Sequence, residues 1–435
     1  AAADGDESTA TGSGSRAVPV GAVEADAALL AHFGSVREAV VRKYRNMNME
    51  VGQHASYSRL FVLCSRAFHC DDIRKHLEEL TPQDIPPFLT QLLSHGHVEA
   101  FVHGNVTSAV AVQLAEVVVS ALGPGCKMDP EERQRDQCVV VPGAAAAAAT
   151  AGMATAEVAE AVALDVGTVV PLLAKNSKEE NAALEVYYQL APATDPRDRA
   201  ALDLIDQILY EPCYDTLRTK QQLGYSVYSG TRLTGGVSGF CVQVVSARHP
   251  PEHLDACVES FLASMCSRIR AMSPEELATH VGALVASKMQ RDRSLVDEAG
   301  RLWGHISSQR YDFFSRELEV AALEGVTIDD VYDMFVRYLL PPSAGISARG
   351  SCSGDGSGGR RKLSVHVRPH GPLAAAESNK AAGDSGGGAA DQMGSAGVLA
   401  GAALRPMSEP GDLVSLRSQW PLHTLHLGKP PGPIL

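Results

Sequence analysis

Arg218 and Tyr225 stand in the run "EPCYDTLRTKQQLGYSVYSG", residues 211–230. A guanidinium is permanently charged and a phenol is a neutral donor, so together they suit a substrate carbonyl or a developing oxyanion. Residue type alone equally allows a solvated helix arginine and a core tyrosine. Leu202, Ile205 and Leu209 recur at helical spacing and lead to Leu217 and Leu223, which predicts a helix delivering Arg218 on its last turns. Gly224 is expected to end that helix in a left-handed conformation. A strand then begins at Tyr225, with Tyr225, Val227 and Ser229 on one face.

Other chemistry-bearing motifs read as chance matches. "HPPEH", His249–His253, spells the H-x-x-E-H of zinc hydrolases. Pro250 and Pro251 belong at a helix start, which leaves His249 outside the helix and predicts that the two imidazoles share no face. "GDSGG" (383–387) and "GDGSGG" (354–359) mimic a serine-protease and a dinucleotide motif inside Gly-rich sequence. "HGHVE" (95–99) runs from a loop into an alternating segment and reads as structural. Lys288, Arg291 and Arg293 near a helix end complement its dipole, with an anion site as the lesser alternative.

The elements that must position these groups are legible from caps and periodicity. Residues 1–27 are small and polar and predict disorder. "VREAVVRKYRNM" from Val36 reads as a helix, "TPQD" at 81–84 as a helix start, and "HVEAFVHGN" (97–105) as a strand. Thr107 opens an apolar helix to about Leu122. In the second half, Leu254, Val258, Phe261, Leu262, Met265 and Ile269 mark one helix face. "SPEE" (273–276) is a capping box, and "TIDDVYDMFVRYLL" is followed by the alternating "KLSVHV". The repeated order of capped helix and strand points to a duplicated α+β domain. An Ala-rich insertion at about 142–156, a low-complexity linker at 371–409 and a tail at 410–435 whose Trp and Leu residues suit docking complete the chain.

The 435 residues suggest two domains plus loose segments. A net charge of −13 argues against nucleic acid or an anionic membrane as partner. The uncharged stretch 137–156 is too rich in Ala to be a convincing membrane span. Nine scattered cysteines without a C-x-x-C pair read as reduced thiols. No secretory signal is visible at the start, so the expected compartment is the cytoplasm, with the peroxisome or another organelle as alternatives.

The segment 211–230 closely resembles part of the C-terminal half of the insulin-degrading enzyme and pitrilysin family of zinc metallopeptidases. "RKYRNM", "QHASYSRL", "QLLSHGHVEAFVHGN", "LEVYYQL", "LWGHISSQRYDF" and "LSVHV" stand in matching order, over roughly residues 35 to 370. The resemblance implies two related α+β domains, each a mostly antiparallel sheet packed with helices. A partial third family domain would occupy 28–135 and the fourth 136–370. It implies that Arg218 and Tyr225 bind peptide near the scissile bond, with Glu211 and Tyr214 lining the same wall. It also associates Lys288, Arg291 and Arg293 with an anion site. Zinc and its catalytic base would lie on an N-terminal half absent here, so this chain is expected to bind no metal and to be inactive alone. The implied partners are peptide substrates and that N-terminal half, with a second copy of the chain as a further candidate. The alternative is a non-catalytic peptide-binding or scaffolding subunit that keeps the fold.

Overall fold

The computed structural model describes residues 27–122, 136–143, 167–341, 360–371 and 410–423. Residues 1–26 of the segment expected to be disordered, 144–156 of the Ala-rich insertion, 372–409 of the low-complexity linker, "GDSGG" and "GDGSGG" lie outside these residues. In chain order the elements are α1 (Ala27–Asn46), α2 (Val51–Leu63), α3 (Cys70–Glu79), a 3₁₀ turn (Pro82–Asp84), α4 (Ile85–Ser94) and α5 (Ser108–Leu122). Then follow β1 (Thr168–Leu173), β2 (Ala182–Pro192), α6 (Pro196–Cys213) with a π-helical extension (Tyr214–Lys220), β3 (Ser226–Thr234) and β4 (Val237–Ser246). The last are α7 (Pro251–Arg270), α8 (Pro274–Lys288), α9 (Leu295–Ser307), α10 (Ser315–Leu323), α11 (Ile328–Leu339), β5 (Arg361–Arg368) and α12 (Pro410–Ser418). The class is α+β, as expected.

The chain divides into two compact units, Ala1–Arg42 with Lys75–Arg135, and Lys43–Arg74 with Asp136–Leu435. The expected break near 135 thus meets a split in which residues 43–74, with α2, belong to the sheet-bearing unit.

In the first unit Thr81 closes the helix start as its sequence suggests, its N–H and hydroxyl both donating to Asp84 Oδ2 at 2.8 and 2.6 Å. Thr107 Oγ1 accepts from the Val110 N–H at 3.4 Å and opens α5. Residues 97–105 do not form the strand that their alternation predicts. A strand needs a partner for its ladder, and every strand among the described residues belongs to the other unit.

The second unit is built on a five-stranded sheet of order β1-β5-β2-β4-β3, parallel only between β1 and β5. Helices cover both faces. Leu184, Val186 and Tyr188 of β2 and Phe240, Val242 and Val244 of β4 pack with Leu204, Ile208, Leu254, Phe261, Phe335 and Leu339 of α6, α7 and α11. Ala183, Tyr187, Cys241, Val245 and the β5 residues Leu363, Val365 and Val367 face α2 and the docked tail, where Leu413 and Trp420 are buried. Arg417 secures the tail, donating to the carbonyls of Phe61, Cys64 and Ala67.

At β5 both faces of the sheet are covered, so the polar side of that strand is buried as well. Lys362, Ser364 and His366 meet acids from α7. Lys362 Nζ lies 2.6 Å from Asp255 and 2.7 Å from Glu259. Ser364 Oγ donates to Asp255 Oδ2 at 2.8 Å, and His366 lies 3.2 Å from Asp255 and 3.0 Å from Glu252. Burial pushes the Asp255 carboxyl up, yet Lys362 and His366 outweigh it and hold the group well below the carboxylate range. Burial likewise works against His366, but hydrogen bonds with Asp255 and Glu252 raise it above the ordinary imidazole value.

These shifts have opposite consequences for stability. Asp255 contributes fully above about pH 4, its unfolded value, and the contribution is lost as pH falls through the lower folded value. His366 contributes fully below about pH 6.5, and that is lost as pH rises through its raised folded value. Melting temperatures followed from acid to alkaline pH should therefore show His366→Gln losing most stability on the acidic side of this window and converging on the parent at high pH. A constant gap at all pH values would contradict the assignment.

Candidate substrate-binding site

Asp195 caps α6 by accepting from the Arg197 N–H at 2.8 Å, and Leu204, Ile205, Ile208 and Leu209 bind the helix to the core. Pro212 sits near its end and has no N–H for the turn before it. The helix widens directly afterwards into the π-helical turns 214–220, an arrangement frequent at functional sites. Leu217 stays buried while Arg218 emerges on the surface.

The helix does not end as predicted. The left-handed residue is Gln222, with φ 51°, and the Leu223 N–H returns to the Leu217 carbonyl at 3.0 Å. Gly224 has another purpose: a Cβ there would collide with the Val245 carbonyl oxygen of β4. Glycine is required for close backbone approach, which lets β3 pair with β4 immediately after the turn, Ser226 opposite Val245. Gly224→Ala should accordingly cost about 1–3 kcal/mol in urea unfolding. An unchanged midpoint would show that the turn has room to move.

Arg218 is held from two sides. Its Nε donates to the Tyr225 carbonyl at 3.2 Å, its Nη1 donates to the Tyr214 hydroxyl, and its Cζ stacks 4.9 Å over the Tyr214 ring. Among the described residues no carboxylate pairs with it, so its charge and remaining donors are available. Tyr225 is 61% exposed. Burial of its inner part, with Glu50 and Glu179 nearby, raises its pKa, which keeps the phenol protonated as a donor. The structure therefore brings Arg218, Tyr214 and residue 225 together. Glu211 is exposed on the last turn of α6, with no hydrogen bond to the group among the described residues.

A second arginine–tyrosine pair, Arg232 and Tyr228 of β3, which the sequence reading missed, lies on the strand face opposite Val227. Arg232 donates to the Tyr228 hydroxyl at 3.0 Å and stacks 4.8 Å over its ring. Their even spacing in a strand was the available signal.

The cationic group is not assembled as expected. Lys288 Nζ is neutralised by Asp203 at 2.5 Å and Glu319 at 2.7 Å. Arg291 and Arg293 remain exposed, while Asp292 between them accepts from Arg301 and Arg316.

"HPPEH" does open a helix, with Pro250 at its N-cap and Pro251 in its first turn. Contrary to expectation the imidazoles of His249 and His253 meet, stacked with centroids 4.7 Å apart. Glu252 turns away from them to His366 and Arg368, at 3.0 and 2.5 Å. The carboxylate that would handle a proton is thus spent on an ion-pair network, and this motif does not fit a hydrolytic zinc centre.

Residues 204–303, which contain Arg218 and Tyr225, match the family profile described as PQQ synthase PqqF-like, C-terminal lobe domain 4. The chain is 30% identical over 339 residues to human insulin-degrading enzyme, covering 77% of this chain and 29% of that protein. It is 30% identical over 316 residues to a nardilysin-like protein of Arabidopsis thaliana, covering 72% of this chain and 29% of that one. Insulin-degrading enzyme and nardilysin-type proteins are thus homologues of this chain over most of its length. The fold of the chain matches a crystal structure of pitrilysin with a TM-score of 0.64 at 19% identity, covering 91% of this chain and 35% of pitrilysin. The chain therefore spans under a third of the length of the curated family members it matches. No helix among the described residues is long and apolar enough to cross a membrane.

Proposed function

We propose that this chain is the C-terminal, substrate-binding portion of a zinc metalloendopeptidase whose metal and general base reside on an N-terminal half. The observation that carries the reading is the Arg218 site: an uncompensated guanidinium fixed between Tyr214 and the Tyr225 backbone, with the Tyr225 side chain itself exposed. Matches to family members that extend far beyond this chain support it, as does the match of 204–303 to a C-terminal lobe domain.

Zinc held by the other half would supply Lewis-acid chemistry to the scissile carbonyl. Arg218 and Tyr225 of this chain bind and orient the peptide backbone, placing charged and neutral donors where oxygen charge develops. Tyr214 and Glu211 form the adjoining wall, the tyrosine by keeping the guanidinium flat on its ring. Arg291 and Arg293 are proposed as an anion-attracting surface without Lys288. We assign the chain to the cytoplasm, in line with its free buried thiols.

A photoreactive peptide incubated with the full chain tests the binding role. Cross-links should map to 211–232 and fall sharply with Arg218→Ala. Cross-links confined to other segments, unaffected by that change, would sink the proposal.

A further inference from the structure

At the start of α3, His69, Cys70 and Asp71 place one nitrogen, one sulfur and one carboxylate oxygen within 4.8 Å of one another. They form the one such group among the described residues. His69 and Cys70 are buried and Asp71 is partly so. The surroundings are arranged about these three. The His69 ring is fixed edge-on against Tyr57 and Phe61, at 5.6 and 5.2 Å between centroids. Lys175 Nζ holds Asp71 Oδ1 at 2.9 Å, while Oδ2 lies on the His69 side, 3.7 Å from Nδ1.

Two further observations concern buried polar groups of the same unit. Asn48 is 2% exposed and takes the left-handed conformation, φ 66°, that asparagine readily adopts just past a helix end. From there its Nδ2 points at the Cys70 sulfur, 3.6 Å away, as outer donors do to metal-bound thiolates. His54 Nδ1, on α2, is shut off from water without a hydrogen-bond partner among the described residues. His54 lies outside the group of three whose ligand atoms are within 4.8 Å of one another, and its buried ring nitrogen without a partner is one that an ion could recruit.

We infer that His69, Cys70 and Asp71 bind a zinc-class divalent cation, and that the ion recruits His54 of α2 as its fourth ligand and so staples α2 to α3. One thiolate, two imidazoles and one carboxylate make a four-coordinate donor set typical of closed zinc sites. Binding converts the Cys70 thiol to a thiolate and releases its proton to solvent, the imidazoles entering neutral and the carboxylate already ionised. This revises the expectation that the chain binds no metal. The site is structural: it has no open position for a substrate.

Cobalt(II) titration of the metal-stripped full chain, followed by zinc competition, tests this. One equivalent should bind with sulfur-to-cobalt charge-transfer absorption, and zinc should abolish the band and raise the melting temperature. Cys70→Ser should remove the band, and His54→Asn, His69→Asn and Asp71→Asn should each weaken binding at least about tenfold. Asp71→Asn alters one part-exposed side chain and so reads affinity even if Cys70→Ser does not fold. Cys257→Ser should leave the band intact, although Cys257 lies 3.6 Å from His253 Nε2. Absence of a band, or a band lost with Cys257→Ser and kept with Asp71→Asn at parental affinity, would overturn the site.

Discussion

Arg218→Ala should lower kcat for peptide hydrolysis about a hundredfold or more when the chain is combined with a family N-terminal half. The loss should fall on kcat more than on KM, because donors aimed at a developing oxyanion act chiefly in the transition state. Arg218→Lys should recover little. A lysine is a point charge and cannot donate to the Tyr225 carbonyl and the Tyr214 hydroxyl while presenting a second edge to substrate. Tyr225→Phe removes one donor and no ring, so it should lower kcat by less than Arg218→Ala. Equal kcat for the parent and Arg218→Ala would remove the residue from the chemistry, and a rise in KM alone would reduce it to ground-state binding.

Asp255→Ala should be the most damaging single change to the fold. It strips the shared acceptor from Lys362, Ser364 and His366, leaving two cations buried under α7 with less compensation. Breaking a buried pair from one side costs about 3–5 kcal/mol. The comparison is Asp329→Ala, which breaks an ion pair with Arg270 whose side chains are about half exposed. Such pairs contribute about 0–1 kcal/mol. Urea unfolding of both variants checks the contrast, and comparable losses would mean that the α7–β5 network carries no special weight.

What was legible in the sequence is what local chemistry determines. The capping box at Ser273 forms as read, the Ser273 N–H donating to Glu276 and the Glu276 N–H to Ser273 Oγ. The apolar face of α7 is buried from Leu254 to Ile269, because helical spacing needs no knowledge of partners. Arg218 and Tyr225 were found because their types are chemically suggestive and their segment resembles a known one.

What was not legible depends on residues distant in sequence. Nothing in "LGYS" shows that Val245 will press against Gly224, so its glycine was assigned to a left-handed turn that Gln222 makes instead. The partners of Lys288 lie on α6 and α10, and those of His366 on α7, so one group read as cationic surface and the other as no more than a position in an alternating strand. Alternation at 97–105 indicated a strand, but it could not supply the neighbour that a strand requires. The stacking of His249 on His253 is a matter of how the residue before Pro250 folds back, which proline rules constrain only in part.

The most direct test of the central claim is zinc-dependent peptide hydrolysis measured for this chain alone, for a family N-terminal half alone, and for the two mixed. The account predicts hydrolysis well above either part only in the mixture, abolished by a chelator, restored by zinc and lost with Arg218→Ala. Hydrolysis by this chain alone that disappears with His249→Ala would contradict it.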